Sequence, residues 1–322
     1  MSSLFSVTDN VAPDAALEIA VGSVSAASIG RRGAQAIATA HAVEPLPPGA
    51  LVPSLTAMNT VDRAAVMTAV NRVLERVGRP RRIGLVIPDI VAKVTLVRFE
   101  KVPARASDLE QLIRWQVRKS APFPIEEAQL SFVRGAMTPE GQEFIVSLAR
   151  RQVIEEYEGL CAEAGAHAGV VDLSTFSVVN AALACGSIPA AGWLVVNVAA
   201  DSASIAILRG ADLIFFRSRA ADVDGTVSAL IHQTAVYYED RLKGVGFVRA
   251  ILAGASHAGA EAEQIRRVLE ERVGIGVDML DPRAAVTLTD RISATPAFLD
   301  TLLPLVGLLL RDQESRPMEA AS

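Results

Sequence analysis

The chain has 322 residues with a net charge of −5; 51% of the residues are hydrophobic and 21% charged. That balance supplies a large core, excludes an extended disordered chain, and excludes a nucleic-acid footprint, because there is no Lys/Arg excess to neutralise phosphates. The two cysteines, Cys161 and Cys185, provide neither a disulfide framework nor metal-ligand spacing, which points to a reducing compartment.

In chain order, residues 1–13 carry no period and read as a loose arm without the basic and apolar regions of a signal peptide. Residues 15–43 read as three antiparallel strands, and the proline-rich stretch 44–55 as a loop. An amphipathic helix is expected over 61–77, where Val66, Val70, Val73, Leu74 and Val77 share a face and Gly78 and Pro80 stop it. Strands follow at 83–87 and 91–99. Ser107-Asp108-Leu109-Glu110 has the form of a capping box, with Ser107 as the cap of a helix that buries Leu109, Leu112, Ile113 and Val117. Two prolines in Ala121-Pro122-Phe123-Pro124 end it. Residues 130–133 and 143–149 read as a strand pair, 152–164 as a helix, 170–172 as a strand and 173–184 as a helix. The near-continuous apolar run 193–198 suits a strand buried on both faces. Two more strands complete a meander to residue 217. A helix over 222–242, a strand over 248–253, a helix over 260–273, a strand over 277–280 and a loop over 281–295 lead to a last apolar helix at 298–310. That helix is too short for a bilayer of about 30 Å, and the tail 312–322 is polar with no apolar stripe.

The meander occurs twice. Displaced by 179 positions, residues 17–37 fall on 196–216 without a gap: Glu18 lands on Asn197, Ser23 on Ser202, Ile29 on Leu208, and the turn at 30–33 on 209–212. One duplication at that distance means two similar halves, not a solenoid.

A two-half chain in which each half opens on such a meander resembles the actin, sugar kinase and Hsp70 superfamily. The piece IRWQVRKSAPFPIEEAQLSF, together with FIVSLARRQVIEEYEGLCAEAG and VVDLSTFSVVNA after it, resembles PilM, the actin-like family of type IV pilus assembly. The resemblance runs from about residue 17 to 311, with the PFP-I-E-E piece as its specific part. It implies an α/β, actin-like (ribonuclease H-like) duplicated fold. Residues 14–90 and 151–190 would form the first half, 91–150 an inserted α+β subdomain, and 191–311 a second half with its outer subdomain reduced; 1–13 and 312–322 would be flexible tails. It also implies a cytoplasmic adaptor, peripheral to the inner membrane, that binds the N-terminal tail of a PilN-like single-span protein in a groove between the inserted subdomain and the first half. Trp115, Pro122, Phe123 and Pro124 are the partner-binding candidates on this reading. Other pilus platform or motor proteins and self-association are further partners it allows.

In the superfamily, three loops clasp a nucleotide and its Mg²⁺. Here the first reads Glu18-Ile19-Ala20, with Ser25 where PilM carries a lysine; the second reads Asn197-Val198-Ala199 and the third Ala253-Gly254-Ala255. Glycines that admit backbone N–H groups to phosphate are missing, and Asn197 replaces a carboxylate. A surviving nucleotide site would draw on Glu18, Gly22, Ser23, Asn197, Asp201, Ser202, Gly254 and Ala255. The expectation is a fold that kept its shape without its nucleotide: no catalytic residue, no metal, no cofactor, not an enzyme. The alternative is an ATP-binding or ATP-hydrolysing actin-like protein, such as an FtsA-like division or type II secretion scaffold. Gly254-Ala255-Ser256-His257-Ala258 has the placement of a nucleophile elbow but not its last glycine, so Ser256 reads as a helix-entry cap.

Overall fold

The fold is a computed structural model that describes residues 13–33, 35–220, 227–289 and 295–311. The tails 1–12 and 312–322, the start of the helix expected at 222 and part of the loop expected over 281–295 lie outside the described residues.

The first meander is β1 (Ala15–Ala20), β2 (Ser23–Arg32) and β3 (Gln35–Pro45). Helix α1 (Arg63–Arg76) follows, capped by Asp62, whose side chain accepts from the Ala65 N–H. Next come β4 (Arg82–Ile87), β5 (Ala92–Phe99) and α2 (Ala106–Val117). The hairpin β6 (Ala128–Thr138) and β7 (Gly141–Arg150) leads into α3 (Arg151–Glu163), β8 (His167–Leu173) and α4 (Ser174–Ala184). The second meander is β9 (Gly192–Val198), β10 (Ser202–Arg209) and β11 (Asp212–Ala220). The chain continues through α5 (Val227–Asp240), β12 (Arg249–Ala253), α6 (Ala262–Val273), β13 (Val277–Met279), β14 (Thr287–Leu288) and α7 (Pro296–Leu310).

These strands form three sheets, ordered β14-β3-β2-β1-β4-β8, β11-β10-β9-β12-β13 and β5-β7-β6. The duplication is visible in the ladders. Glu18 faces Ser25 and Asn197 faces Ser204, one register displaced by 179, and both second strands carry a bulge at matching places, Ser28/Ile29 and Ile207/Leu208. Beyond the bulge the likeness ends. The first hairpin runs four pairs further, to Arg32–Gln35, and the second only two, to Arg209–Asp212. The turn expected at 30–33 is therefore strand through Arg32, and the gap-free displacement stops at the bulge.

The alternation along each strand decides which core it serves. Trp193 and Val195 face a core shared with the first sheet, α1, α3 and α4, whereas Leu194, Val196 and Val198 face α5 and α6. Helix α4 is buried on nearly all sides between the halves, which suits its apolar, small-residue sequence.

Helix α7 crosses α4 so closely that a Cβ at Gly307 would collide with the Ser177 carbonyl oxygen. Its buried face, Leu302 to Leu310, packs with Ala16, Ala27 and Val86 of the first sheet. The carboxy-terminal stretch, assigned from the sequence to the second half, thus packs on the first. The expected loop before it contains β14, which extends the first sheet beside β3. Parallel pairing of two residues leaves no period to read, so the sequence shows no strand there.

The capping box is also corrected. Helix α2 begins at Ala106 with Arg105 at its cap and no side-chain cap bond. Ser107 already lies inside the first turn, where its hydroxyl reaches Asp108 Oδ1 at 3.3 Å. On the inner side α2 lays Leu109, Ile113 and Val117 against Phe144, Val146 and Leu148 of β7. In the second half only residues 241–248 separate α5 from β12, so the outer layer is reduced as expected.

Candidate functional site

The carboxyl ends of β1, β4, β8 and β9 point into the space between the two large sheets, the usual ligand position in open α/β sheets. A cleft of about 40 Å³ lies there, lined by Glu18, Ala20, Val21 and Ser23 of the first half and Asn197 to Ser202 of the second. Pro88, Asp89, Ser174, Val178, Ala253, Gly254, Asp300, Thr301 and Pro304 complete the wall. One water needs roughly 10–15 Å³ of such volume, so the cleft has room for a few waters.

Six of the eight residues named from the sequence for this site meet here: Glu18, Ser23, Asn197, Asp201, Ser202 and Gly254. The other two do not line it. Gly22 makes the β1–β2 turn with φ +86° and open space around it, and Ala255 is buried against the α5–α6 core. Gly254, at φ +69°, presses on the second loop so tightly that a Cβ would collide with the Val198 carbonyl oxygen.

A directional hydrogen-bond network holds the cleft. Asn197, only 7% exposed, donates through Nδ2 to Ser174 Oγ (3.3 Å) and Thr175 Oγ1 (3.1 Å). Ser174 Oγ in turn donates to Glu18 Oε1 (3.2 Å), while Ser25 Oγ donates to Glu18 Oε2 (3.4 Å). Thr175 Oγ1 donates to Asp89 Oδ2. Asp89 also accepts from the Thr175 N–H (2.9 Å) and from Ser204 Oγ (2.7 Å). Asp89 thus satisfies an orphan donor in the first turn of α4, as a cap would, and ties β4 to the second half.

Burial pushes Glu18 up from 4.5 to about 7, against the lowering effect of its two hydroxyl donors. Asp89 is raised by burial, opposed by Thr175 and Ser204. Burial likewise raises Asp172 to about 7, although Arg311 and the Leu173 N–H favour its charged form. The cleft wall holds four carboxylates, Glu18, Asp89, Asp201 and Asp300, and no lysine or arginine. No group of three or more His, Cys, Asp or Glu able to hold a metal occurs among the described residues.

Sequence reasoning passed over Asp89, Asp172, Ser174, Thr175 and Ser204. The available signal was position: Asp89 follows the end of β4, and Asp172 and Ser174 stand at the junction of β8 and α4, where a strand ends and a helix begins. Ser256, read as a helix-entry cap, instead receives one: its N–H donates to Asp300 Oδ2 at 2.8 Å.

A second concavity, of about 440 Å³, opens at the seam of the inserted subdomain. Its walls are Pro53, Ser54 and Leu55 of the loop after β3, Ile90 with Ala92, Lys93 and Val94 at the start of β5, and Phe216 to Ala220 of β11. Both β5 and β11 are outermost strands of their sheets, so each turns an unpartnered edge to solvent or groove. The loop wall is held by Glu156, whose carboxylate accepts the N–H groups of Asn59 (2.7 Å) and Thr60 (2.8 Å). Lys93, Arg217 and Arg219 line the groove, and the buried Ser218 hydroxyl has no hydrogen-bond partner among the described residues.

None of the four partner-binding candidates lines this groove. Trp115 is 70% exposed on the outer face of α2. Pro122 and Pro124 are exposed, and Phe123 is half-buried against the core between α2 and its sheet. The groove is instead completed by β11 from the second half, a strand that no local pattern joins to residues 53–55 and 90–94.

Residues 16–239 match the family model described as Type IV pilus assembly protein PilM. Among solved structures, the chain is similar to a PilM-PilN type IV pilus biogenesis complex at 18% identity and a TM-score of 0.76, covering 96% of this chain and 100% of that one. A Bacteroides thetaiotaomicron protein with an actin-like ATPase fold and unknown function aligns at 10% identity and 0.49, over 90% and 94% of the chains. The cytoplasmic domain of EpsL, an inner-membrane component of the Vibrio cholerae type II secretion system, aligns at 9% and 0.47, over 94% and 95%.

Proposed function

The chain belongs to the PilM family of type IV pilus assembly proteins and has that family's actin-like fold; from this we propose that it is an adaptor, not an enzyme. It works in the cytoplasm at the inner membrane, holding the N-terminal tail of a PilN-like single-span protein. No helix among the described residues is long and apolar enough to cross a membrane.

The observation that carries this reading is the contrast between the two concavities. Mg-ATP, which the fold family implies, does not suit the first. Its phosphates would meet four acidic side chains and no lysine or arginine, and the third loop already touches the second at Gly254. Asn197 donates to two hydroxyls, a role an acceptor-only carboxylate could not fill. The nucleotide site has become a hydrogen-bonded lock between the halves.

The seam groove suits an extended chain. Two open strand edges offer main-chain donors and acceptors for strand addition, with pockets for alternate side chains. The groove's cations favour a segment that carries acid beside its apolar anchors.

Calorimetry with the cytoplasmic tail peptide of the cognate PilN-like protein tests the reading. Binding is expected for the native chain and for Glu18→Gln, and weakening by about tenfold for Lys93→Glu with Arg217→Glu, as expected for charge reversal beside an acidic ligand. Absence of binding to well-folded protein overturns it. So does tight Mg-ATP binding that Glu18→Ala abolishes, which would establish the ATP-binding alternative.

A further inference from the structure

We propose that the outer face of α2 is a membrane-contact surface, resting on an anionic phospholipid bilayer through Trp115, Arg118 and Lys119. The two tryptophans of the chain are treated oppositely. Trp193 is 1% exposed and its indole N–H donates to the Gly210 carbonyl at 2.9 Å, whereas Trp115 is 70% exposed. Helical spacing aligns Trp115 with Arg118 and Lys119 on the side opposite Leu109, Ile113 and Val117, which face the sheet. Arg118 and Lys119 are exposed and make no ion pair among the described residues, unlike Arg114 on the flank, which is tied to Glu110.

Charge selects the occupant. Over residues 93–119 there are seven basic and three acidic side chains, in a chain whose net charge is −5. The acids nearest along the helix are Asp108, two turns away at its start, and Glu110, already paired. One indole flanked by two cations is too small an apolar centre for a stable protein interface, which buries about 800 Å² per partner. It suits the bilayer surface, where tryptophan sits at headgroup level and Lys/Arg are drawn to anionic lipid. The face is also continuous with the seam groove: Lys93, which lines that groove, donates through Nζ to the Ser120 carbonyl just past α2. A tail held there and leading to a membrane-spanning segment would turn this face toward the bilayer. Only that orientation rests on the adaptor reading; the lipid contact does not.

The test uses the full chain and vesicles of phosphatidylglycerol mixed equally with phosphatidylcholine, against pure phosphatidylcholine, with no partner protein present. Co-sedimentation is expected with the anionic vesicles alone, falling as salt rises because screening shortens to about 8 Å near physiological ionic strength. Tryptophan emission should move to shorter wavelength as Trp115 enters the interface. Trp115→Phe should abolish that shift, since Trp193 is already buried. Arg118→Glu with Lys119→Glu should lower partitioning by at least about tenfold, with the unchanged Trp193 emission reporting an intact fold. Equal binding to both vesicle types, no binding at low salt, or an unaffected double variant overturns the proposal. So does a Trp115-dependent dimer in sedimentation without lipid, which would assign the face to a second copy. Tail-peptide affinity, measured separately, shows whether the adaptor reading stands or falls on its own.

Discussion

The two meanders began as one design and now do different work. In each, a serine faces the residue at the strand's cleft end: Ser25 opposite Glu18, Ser204 opposite Asn197. In the first half the serine donates across its own ladder, to Glu18 at 3.4 Å. In the second it reaches past Asn197 to Asp89 at 2.7 Å, because Asn197 has turned its donors to α4. An acid on one side and an amide on the other make a complementary pair through Ser174. Two carboxylates would instead repel each other across the same helix terminus. Sequence symmetry is thus kept in the register and given up in the chemistry, and the shared backbone holds either.

The largest effect should come from α7, the helix that crosses α4 and packs on the first sheet. Gly307→Ala drives a Cβ into the α4 backbone, where side-chain rotation gives no relief. Overpacking of this kind costs typically about 1–3 kcal/mol and occasionally more; thermal denaturation should show the largest loss of stability of any cleft or helix variant tested. Gly84→Ala meets side-chain atoms alone, chiefly those of Leu308, which can turn aside, and should cost less.

Asn197→Asp restores the symmetry of acids and should come next. It removes two donors and adds a charge beside Glu18 and Asp89. Leaving buried groups unpaired costs roughly 1–3 kcal/mol, more for charges. The loss measured at pH 8 should shrink at pH 5, where the added carboxyl can take a proton. Adding Ala20→Gly and Ala199→Gly should not confer Mg-ATP binding by calorimetry. A tight nucleotide complex in that triple variant would show that the glycines, not the acid lining, decide the cleft.

Glu18→Gln sharpens the comparison through pH. Burial raises Glu18 from 4.5 to about 7, so the folded chain keeps a proton that the unfolded chain releases between those values. Stability from this group therefore falls as pH rises from about 4.5 to about 7. The full shift corresponds to about 3 kcal/mol at most, reduced by the water that reaches the cleft. The Gln variant should lose that slope and gain relative stability at pH 8. His41, lowered to about 4 by burial against Phe298, acts with the opposite sign. Its contribution is lost as pH falls below 6.5, so the denaturation midpoint of the Gln variant should decline more steeply on acidification than that of the native chain.

The smallest effect separates the turn glycines. Gly22→Ala strains a positive φ in open space and should cost about 1 kcal/mol. Gly254→Ala adds a collision with the Val198 carbonyl oxygen and should cost more. Equal midpoints for the two would mean that the third loop yields easily and the cleft can open.

Phe123→Ala also belongs here. Phe123 is half-buried against the core between α2 and its sheet, so its truncation should lower the thermal midpoint while leaving the tail affinity of the folded fraction unchanged.

What the sequence determined was whatever depends on neighbours within a turn or a ladder. The period-2 runs gave the meanders, the valine stripe 66–77 gave α1, and Pro122 and Pro124 ended α2. The displacement of 179 gave the duplicated, two-half architecture down to the bulge. The acid at 18 and the amide at 197 were legible as equivalent positions of different chemistry, because residue type alone separates acceptor from donor. Only the tertiary structure decided which far-apart residues meet. Asp89, Thr175 and Ser204 converge from three elements, β11 completes a groove begun by residues 53–55 and 90–94, and α7 returns to the first half. Burial decided the rest: it raised Glu18 and Asp172, hid Trp193 and left Trp115 in solvent. A side chain's surroundings are set by chain segments that carry no mark of it in their own sequence.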